Sequence, residues 1–515
     1  MKEHGKQFDS RSFLILVNEI YGPLGAFINF AVSNKDKHDI ISNDFLGRAK
    51  FVATRLEELL DHYNAKNNLK WRPFRDNIAT IKRFTDISYI TLHLKSTSPQ
   101  YRLLSGIDTF LADTDRVLNQ FSSSLYEIFD KLTESAVSLG IEQQEAKDST
   151  LCPNCDIPNG RLDADLTKTR IDNPEQVIVN LATSYLNLAS ESVLLKKITS
   201  IQSNDHKVLV PEVINENSIR TLESKFHNLQ SLYDTYISNT DIEDTDKDLK
   251  LIRGHASIVY HLLEASTSII HYYERHMMHI PEQARANTCI PIKTGEILNI
   301  LVDYYLNYAQ QFLTAGKTLC KKVIKRYAEE GTINVSVPIY RGFHVRPSTL
   351  VAKIIQHYGS EVYIILGNSK FDASSPMNLF RVNEEINAVK RRNLARNISN
   401  LKAVAENSSI EDFEKGLKEI FHELLEENKI INYASDFTLP EIKSISEESL
   451  GEYANRAIAS LLAQGKIDLR TDLTVTFVGD KRVLADLEVL ASCGYGEDSY
   501  GNNIVLPEEL SYLRR

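Results

Sequence analysis

The sequence predicts a multidomain chain, α followed by α+β: N-terminal helical bundles precede a small sheet-and-helix domain that an all-helical insertion splits. Three observations predict it. Apolar residues recur at 3.6-type spacing over most of 10–330. The texture then changes at "INVSVPIY", residues 333–340, to the period-2 alternation of a half-buried strand. A second alternating run, "DLTVTFVG" at 472–479, arrives only after a further helical stretch. A two- or three-stranded piece is poorly stable alone, so the late strand is expected to complete the sheet begun at 333.

The 515 residues suit two to four domains better than one. Apolar residues make up 42% and charged residues 25%, an ordinary globular balance. The net charge of −10 argues against a partner bound through non-specific nucleic-acid contacts, which want a basic surface. Five scattered cysteines do not make a disulfide scaffold. "MKEHGKQFDS" lacks the apolar core and cleavage site of a signal peptide. The most apolar run, "FLILVNEIYGPLGAFINFAV", is interrupted by Asn18, Glu19 and Gly22-Pro23, which predicts a buried helix rather than a membrane span. A cytoplasmic protein is expected.

A helical domain is expected over 1–148, with Leu46, Val52, Leu56 and Leu60 on one stripe of "DFLGRAKFVATRLEELLDHY". Residues 149–172, polar and broken by Pro and Gly, read as a linker carrying "CPNC". A second helical block spans 173–330, with the acidic "NTDIEDTDKD" as a solvated loop between helices. The mixed domain begins at 331. "RPSTLVAKIIQHYG" reads as a helix with Gly359 as its C-terminal cap, "EVYIIL" as a strand and "GNSKFDA" as a turn and short strand. "SSPMNLF" opens a short helix, with Ser375 as N-cap and Pro376 at the first helical position. The first part of the domain closes at 381, the insertion covers 382–470, and 471–515 supplies the returning strand and a helix capped by Asp480.

Joined across the insertion, the order is β-α-β-β-α then β-α, with "GFHVRPSTLVAKI" at the first strand–helix junction. This resembles the HPr family, the histidine-containing phosphocarrier proteins of the phosphoenolpyruvate-dependent phosphotransferase system. Gly342, Phe343, His344, Val345, Arg346 and Pro347 match the family's Gly-hydrophobe-His-small-Arg-Pro motif. Ser375 falls on the family's regulatory serine, and "LTVTFVGDKRVLADLEVLASCGYGE" resembles its last strand, last helix and glycine-containing tail. The resemblance covers about 80 residues, 333–381 plus 471–497, a fitting size for a small domain. Val345 stands where the family has a small or hydroxyl residue, Pro376 directly follows the serine, and the insertion is extra.

The resemblance implies an open-faced β-sandwich, βαββαβα, and transient phosphorylation of His344 at Nδ1 by an enzyme I-type donor. It implies a protein acceptor or regulated target for the phosphoryl group and no cofactor. It also implies that Thr349, Pro376, Met377 and Phe380 form the docking face around the histidine. The residue chemistry agrees with that role. A neutral imidazole is a nucleophile at cellular pH. The helix N-terminus at Gly342, Val345 and Pro347 is the expected phosphate-binding element, since such a terminus offers free N–H groups and a positive dipole end to a phosphoryl dianion. Pro347 presets the first turn and Gly342 permits the tight approach to it. Arg346 can fork onto phosphate oxygens. The plain alternatives are a loop histidine at an ordinary helix start and, for Ser375, capping without modification.

Two further readings stand beside the carrier. The domain is a regulatory module whose phosphorylation state controls what the helical region binds. Or the helical region is a metal-dependent enzyme: His261, Glu264, Ser268, His271 and Arg275 fall within about an 80° stripe of one helix. His261, Glu264, His271, Cys152 and Cys155 are its weak metal candidates, since a bundle metal site needs matching ligands on other helices and zinc wants a second cysteine pair. A solvated or interhelix polar face is the plain alternative, and a carrier or regulator is favoured over a stand-alone enzyme.

Overall fold

The computed structural model describes residues 9–33, 35, 42–101, 106–142, 167–200, 206, 209–278, 289–399, 413–433, 449–470 and 472–514. Its contacts divide the chain into two compact units, Met1–Val323 and Ile324–Arg515.

The first unit is helical. Its helices are α1 (Ser10–Ser33), α2 (Asn43–His62), α3 (Arg72–Tyr101), α4 (Ile107–Leu139), α5 (Pro174–Glu191), α6 (Val193–Ser200), α7 (Glu216–Tyr236) and α8 (Lys247–Tyr272). α9 (Thr294–Asn299) continues through a π-helical segment, Ile300–Leu306, into α10 (Asn307–Tyr327). α4 shows why these segments are helical: Phe110, Thr114, Val117, Phe121, Leu125, Ile128 and Leu132 are buried at three- and four-residue steps. Gly140 ends it at φ +81°, returning its N–H to the carbonyls of Ala136 and Val137. α1 passes unbroken through Pro23 and buries Phe13, Val17, Tyr21, Leu24 and Ile28. By length and composition alone it is also apolar enough to cross a membrane.

The helices expected as separate domains over 1–148 and 173–330 share one core. α3 packs against α8. Thr91 on α3 and Thr114 on α4 meet the hydroxyls of Tyr305 and Tyr304 at 2.6 and 2.7 Å. The acidic stretch expected as a solvated loop forms a 3-10 turn, Asp241–Asp244, and Asp246 caps α8 by accepting from the Asp248 N–H at 2.9 Å. "CPNC" and most of the expected linker lie outside the described residues.

The second unit contains β1 (Glu330–Ser336), α11 (Val345–Tyr358), β2 (Val362–Leu366), β3 (Ser369–Asp372), α12 (Pro376–Ser399), α13 (Phe413–Glu426), β4 (Ile430–Asn432), α14 (Leu450–Ala463), β5 (Ile467–Leu469), β6 (Thr474–Asp480) and α15 (Lys481–Ser492). Four strands form one antiparallel sheet in the order β1-β6-β2-β3. The late strand therefore does complete the early sheet, and it is central. Phe477 pairs with Ile333 on one side and Ile364 on the other. Val335, Val475, Phe477 and Ile364 pack with Val351 and Ile355 of α11, Leu379 and Val382 of α12, and Leu484 and Leu487 of α15. The coarse expectation, an α-rich chain carrying a small antiparallel sheet, is met.

Two expectations need correction. The insertion over 382–470 is not all-helical: β4 and β5 pair antiparallel, Ile430 opposite Leu469. Each strand has only three residues, too few for alternation to register against the helices around it. The helix opening at Pro376 is not short and does not end at 381. It runs to Ser399, with Leu379, Val382 and Ile386 in the sheet's core and Leu394 and Ile398 in the insertion's own core. One helix thus serves both cores.

Asp480 caps α15 as expected. It is buried and accepts from the Arg482 N–H at 3.0 Å, from Arg482 Nη2 at 2.7 Å and from the Ser360 hydroxyl at 2.5 Å. Burial opposes its ionisation, but these hydrogen bonds outweigh burial and hold its pKa below the ordinary 3.8. A depressed folded pKa contributes stability that is present above the unfolded pKa and lost as pH falls through the folded one. Asp480→Asn is expected to cost about 1–3 kcal/mol at neutral pH and to flatten the acid limb of stability, as read by denaturant unfolding at pH 7 and pH 3.

Candidate functional site

The site is built on the turn between β1 and α11. The chain leaves β1 and turns through Arg341 at φ +52° and Gly342 at φ +64°. Glycine is required at the second position for two reasons. The left-handed backbone suits it, and a Cβ there would sit 2.1 Å from Asn383 Oδ1. Asn383 on α12 fastens the turn: its Oδ1 accepts from the Phe343 N–H at 2.9 Å and its Nδ2 donates to the Arg341 carbonyl at 3.1 Å. Arg341 is held from the insertion as well. Its N–H donates to Asp468 Oδ2 at 3.0 Å and its Nη2 to the Gly465 carbonyl at 3.0 Å. Phe343 is fully buried against Tyr495 and Phe477. His344 follows as N-cap of α11, with its carbonyl accepting from the Ser348 N–H at 3.1 Å.

The side chains of His344 and Arg346 are both gripped by one loop, 497–503. His344 Nε2 lies 2.7 Å from Glu497 Oε1. The Glu497 side chain is 3% exposed and that of His344 27% exposed. An ionised carboxylate only accepts, so in the neutral imidazole the proton sits on Nε2 and the lone pair on Nδ1. Arg346 Nη1 donates to Asn503 Oδ1, and its buried Nε has no hydrogen-bond partner among the described residues. Glu497 and Asn503 form an isolated antiparallel bridge, so one backbone element sets both grips. The Tyr340 ring meets the imidazole edge-on, centroids 5.4 Å apart, and rests on Tyr433 of the insertion.

The other expected residues are placed as follows. Val345 is exposed and Pro347 buried in the first turn of α11. The Thr349 hydroxyl donates back to the Val345 carbonyl at 2.6 Å. Ser375 precedes α12, its carbonyl accepting from the Leu379 N–H at 3.2 Å, and is half-buried. Pro376 opens α12, Met377 is exposed and Phe380 half-buried, and α12 packs against α11.

The insertion adds a wall. A cleft of about 540 Å³ opens beside His344, lined on one side by Arg341, Asn383, Asn387, Lys390 and Arg391 and on the other by residues of α14 and β5. Lys390 is 4% exposed and faces Asp468 at 3.5 Å. Arg391 is exposed and has no ion-pair partner among the described residues.

Sequence reasoning missed Glu497, Asn503, Asn383 and Asp468. The first two sit in "GEDSYGNN", which reads as a plain turn-rich tail, 153 positions beyond the histidine that Glu497 holds. In the first unit the expected stripe does not converge. His261 Nδ1 meets Glu264 on its own helix at 3.0 Å, whereas His271 Nδ1 meets Glu216 on α7 at 3.1 Å. Among the described residues no three His, Cys, Asp or Glu side chains are grouped to hold a metal. Cys152 and Cys155 lie outside the described residues.

The chain matches no protein-family model, no curated protein and no solved structure.

Proposed function

We propose that the second unit is an HPr-like phosphocarrier domain of a cytoplasmic protein, with His344 as the transiently phosphorylated residue. The observation that carries the reading is the Glu497–His344 pair at a helix N-terminus: it fixes the proton on Nε2 and leaves Nδ1 as the nucleophile. Nδ1 attacks the phosphorus of an enzyme I-type phosphohistidine. The donor's P–N bond breaks, and its electron pair stays on the donor imidazole. Glu497 keeps the Nε2 proton in place as positive charge develops on the ring. The N–H groups of the first turn, and the Arg346 guanidinium once it leaves Asn503, supply the donors for the incoming phosphoryl oxygens, where positioning and electrostatics carry most of the transfer. Val345, next to His344 in the chain, and Met377, in the first turn of α12, are exposed and suit transient docking of a protein partner.

A regulatory role for the phosphorylated state is the second reading, and the cleft favours it. A phosphoryl group on His344 would change the charge at the mouth of a pocket walled by the insertion.

The test is incubation with phosphoenolpyruvate and enzyme I. Acid-labile label is expected on the intact chain and none on His344→Ala. Because Ala strands the buried Glu497 carboxylate, His344→Gln is run beside it with circular dichroism to confirm folding. An unlabelled wild-type chain would overturn the carrier reading. Label that never moves to an acceptor favours the regulatory one.

A further inference from the structure

The first unit contains a second polar concavity, of about 550 Å³, between α2, α3 and the end of α8. α3 lays Arg72, Arg75, Asp76, Lys82 and Arg83 along it at helical spacing. Opposite them α8 loosens into a π-helical turn, Tyr273–Met277, which brings Arg275 and His276 to the cavity. Such π turns cost hydrogen-bond geometry and occur mostly at functional sites.

A self-contained ion-pair network explains half of this cavity. Arg75 donates to Asp61 at 2.7 and 2.6 Å and to Glu57 at 3.1 Å. Lys82 meets Glu57 at 2.7 Å, and Arg72 faces Asp76 at 3.4 Å. Three carboxylates thereby offset three cations. The remainder is not offset. Arg83, half-buried, has no ion pair among the described residues. Arg275 reaches only Glu216, at 3.9 Å, a carboxylate already paired with Arg220 at 2.7 Å. Glu58 stands against Lys66, Arg83 and Arg275 together.

His276 lines the cavity as well. Burial first, then Arg75, His271, Arg83 and Lys66, push the His276 pKa down to about 3. At neutral pH His276 is therefore a neutral imidazole that can donate one hydrogen bond. A cavity of this volume suits a small molecule, and its polar lining suits an anionic one. We infer that it binds a phosphate-bearing small molecule, a phosphate monoester no larger than a mononucleotide, with Arg83 and Arg275 as the primary phosphate contacts. This inference does not rest on the reading of His344.

The test is calorimetric titration of the full chain with inorganic phosphate, a hexose 6-phosphate, a nucleoside monophosphate and a phosphopeptide. One of the small phosphates is expected to saturate at one per chain. Arg83→Ala should weaken it about tenfold or more, and so should the more isosteric Arg83→Gln, which guards against misfolding by the first. Arg116→Ala, an exposed arginine outside the cavity, should leave binding unchanged. In histidine NMR the His276 titration should move upward when ligand is bound. No saturable binding, binding indifferent to Arg83 and Arg275, or saturation by the phosphopeptide alone would overturn the inference.

Discussion

Glu497→Gln is expected to slow the proposed phosphorylation of His344 by about 10²- to 10⁴-fold while leaving the fold intact. The carboxylate selects one imidazole tautomer, because it can only accept from Nε2 at 2.7 Å. A glutamine amide can turn its NH₂ to Nε2 instead, which stabilises the tautomer with Nδ1 protonated and removes the nucleophile. It also withdraws the negative charge that would balance the ring once Nδ1 bonds to phosphorus. The glutamine is nearly isosteric, and Glu497 is almost fully buried, so packing is preserved. The initial rate of acid-labile labelling is the measurement. A change of only about twofold would show that Glu497 packs against the ring without controlling its chemistry.

Phe343→Ala is expected to destabilise the second unit by about 3–5 kcal/mol. The ring is fully buried and sits edge-on to Tyr495 and Phe477, centroids 5.5 and 6.4 Å away. Its removal leaves a void under the turn that aims His344. For a unit of this size the midpoint should fall by roughly 6–20 °C in thermal unfolding followed by circular dichroism. Phe343→Leu, which keeps most of the volume, should recover most of the loss. Trp71, the chain's only tryptophan, lies in the first unit, so its fluorescence reports that unit separately.

What could be read in the sequence followed from local patterns. The alternation of Ile333, Val335 and Val337 marked β1, though the ladder itself begins at Glu330 and ends at Ser336. Gly359, at φ +67°, and Asp480 capped their helices as their types suggest. The placing of His344 at a helix start came from the same signals. What was not legible depends on distance along the chain. Nothing near Glu497 or Asn503 marks them as partners of His344 and Arg346, and nothing near Asp468 marks it as an anchor for Arg341. The long α12 was hidden because its apolar positions change target halfway, from the sheet's core to the insertion's. The basic face of α3 escaped because a stripe of charges reads as a solvated surface until the helices around it are in place.

The central place of β6 has a consequence for how the molecule is made. On the ribosome, β1 and β2 emerge with no common partner, since each pairs with β6 and not with the other. Glu330 must wait for Asp480, 150 positions later, before the ladder between them can close. The sheet, the histidine's turn and the Glu497 grip therefore come together only after the insertion, β6 and Glu497 have emerged. The insertion has its own core, from Leu394 to Leu469, and folding it first shortens the loop that the sheet must close. A nascent chain stalled before residue 474 exposes the edges of β1 and of the β2–β3 hairpin, and those edges are where a folding helper would have to act.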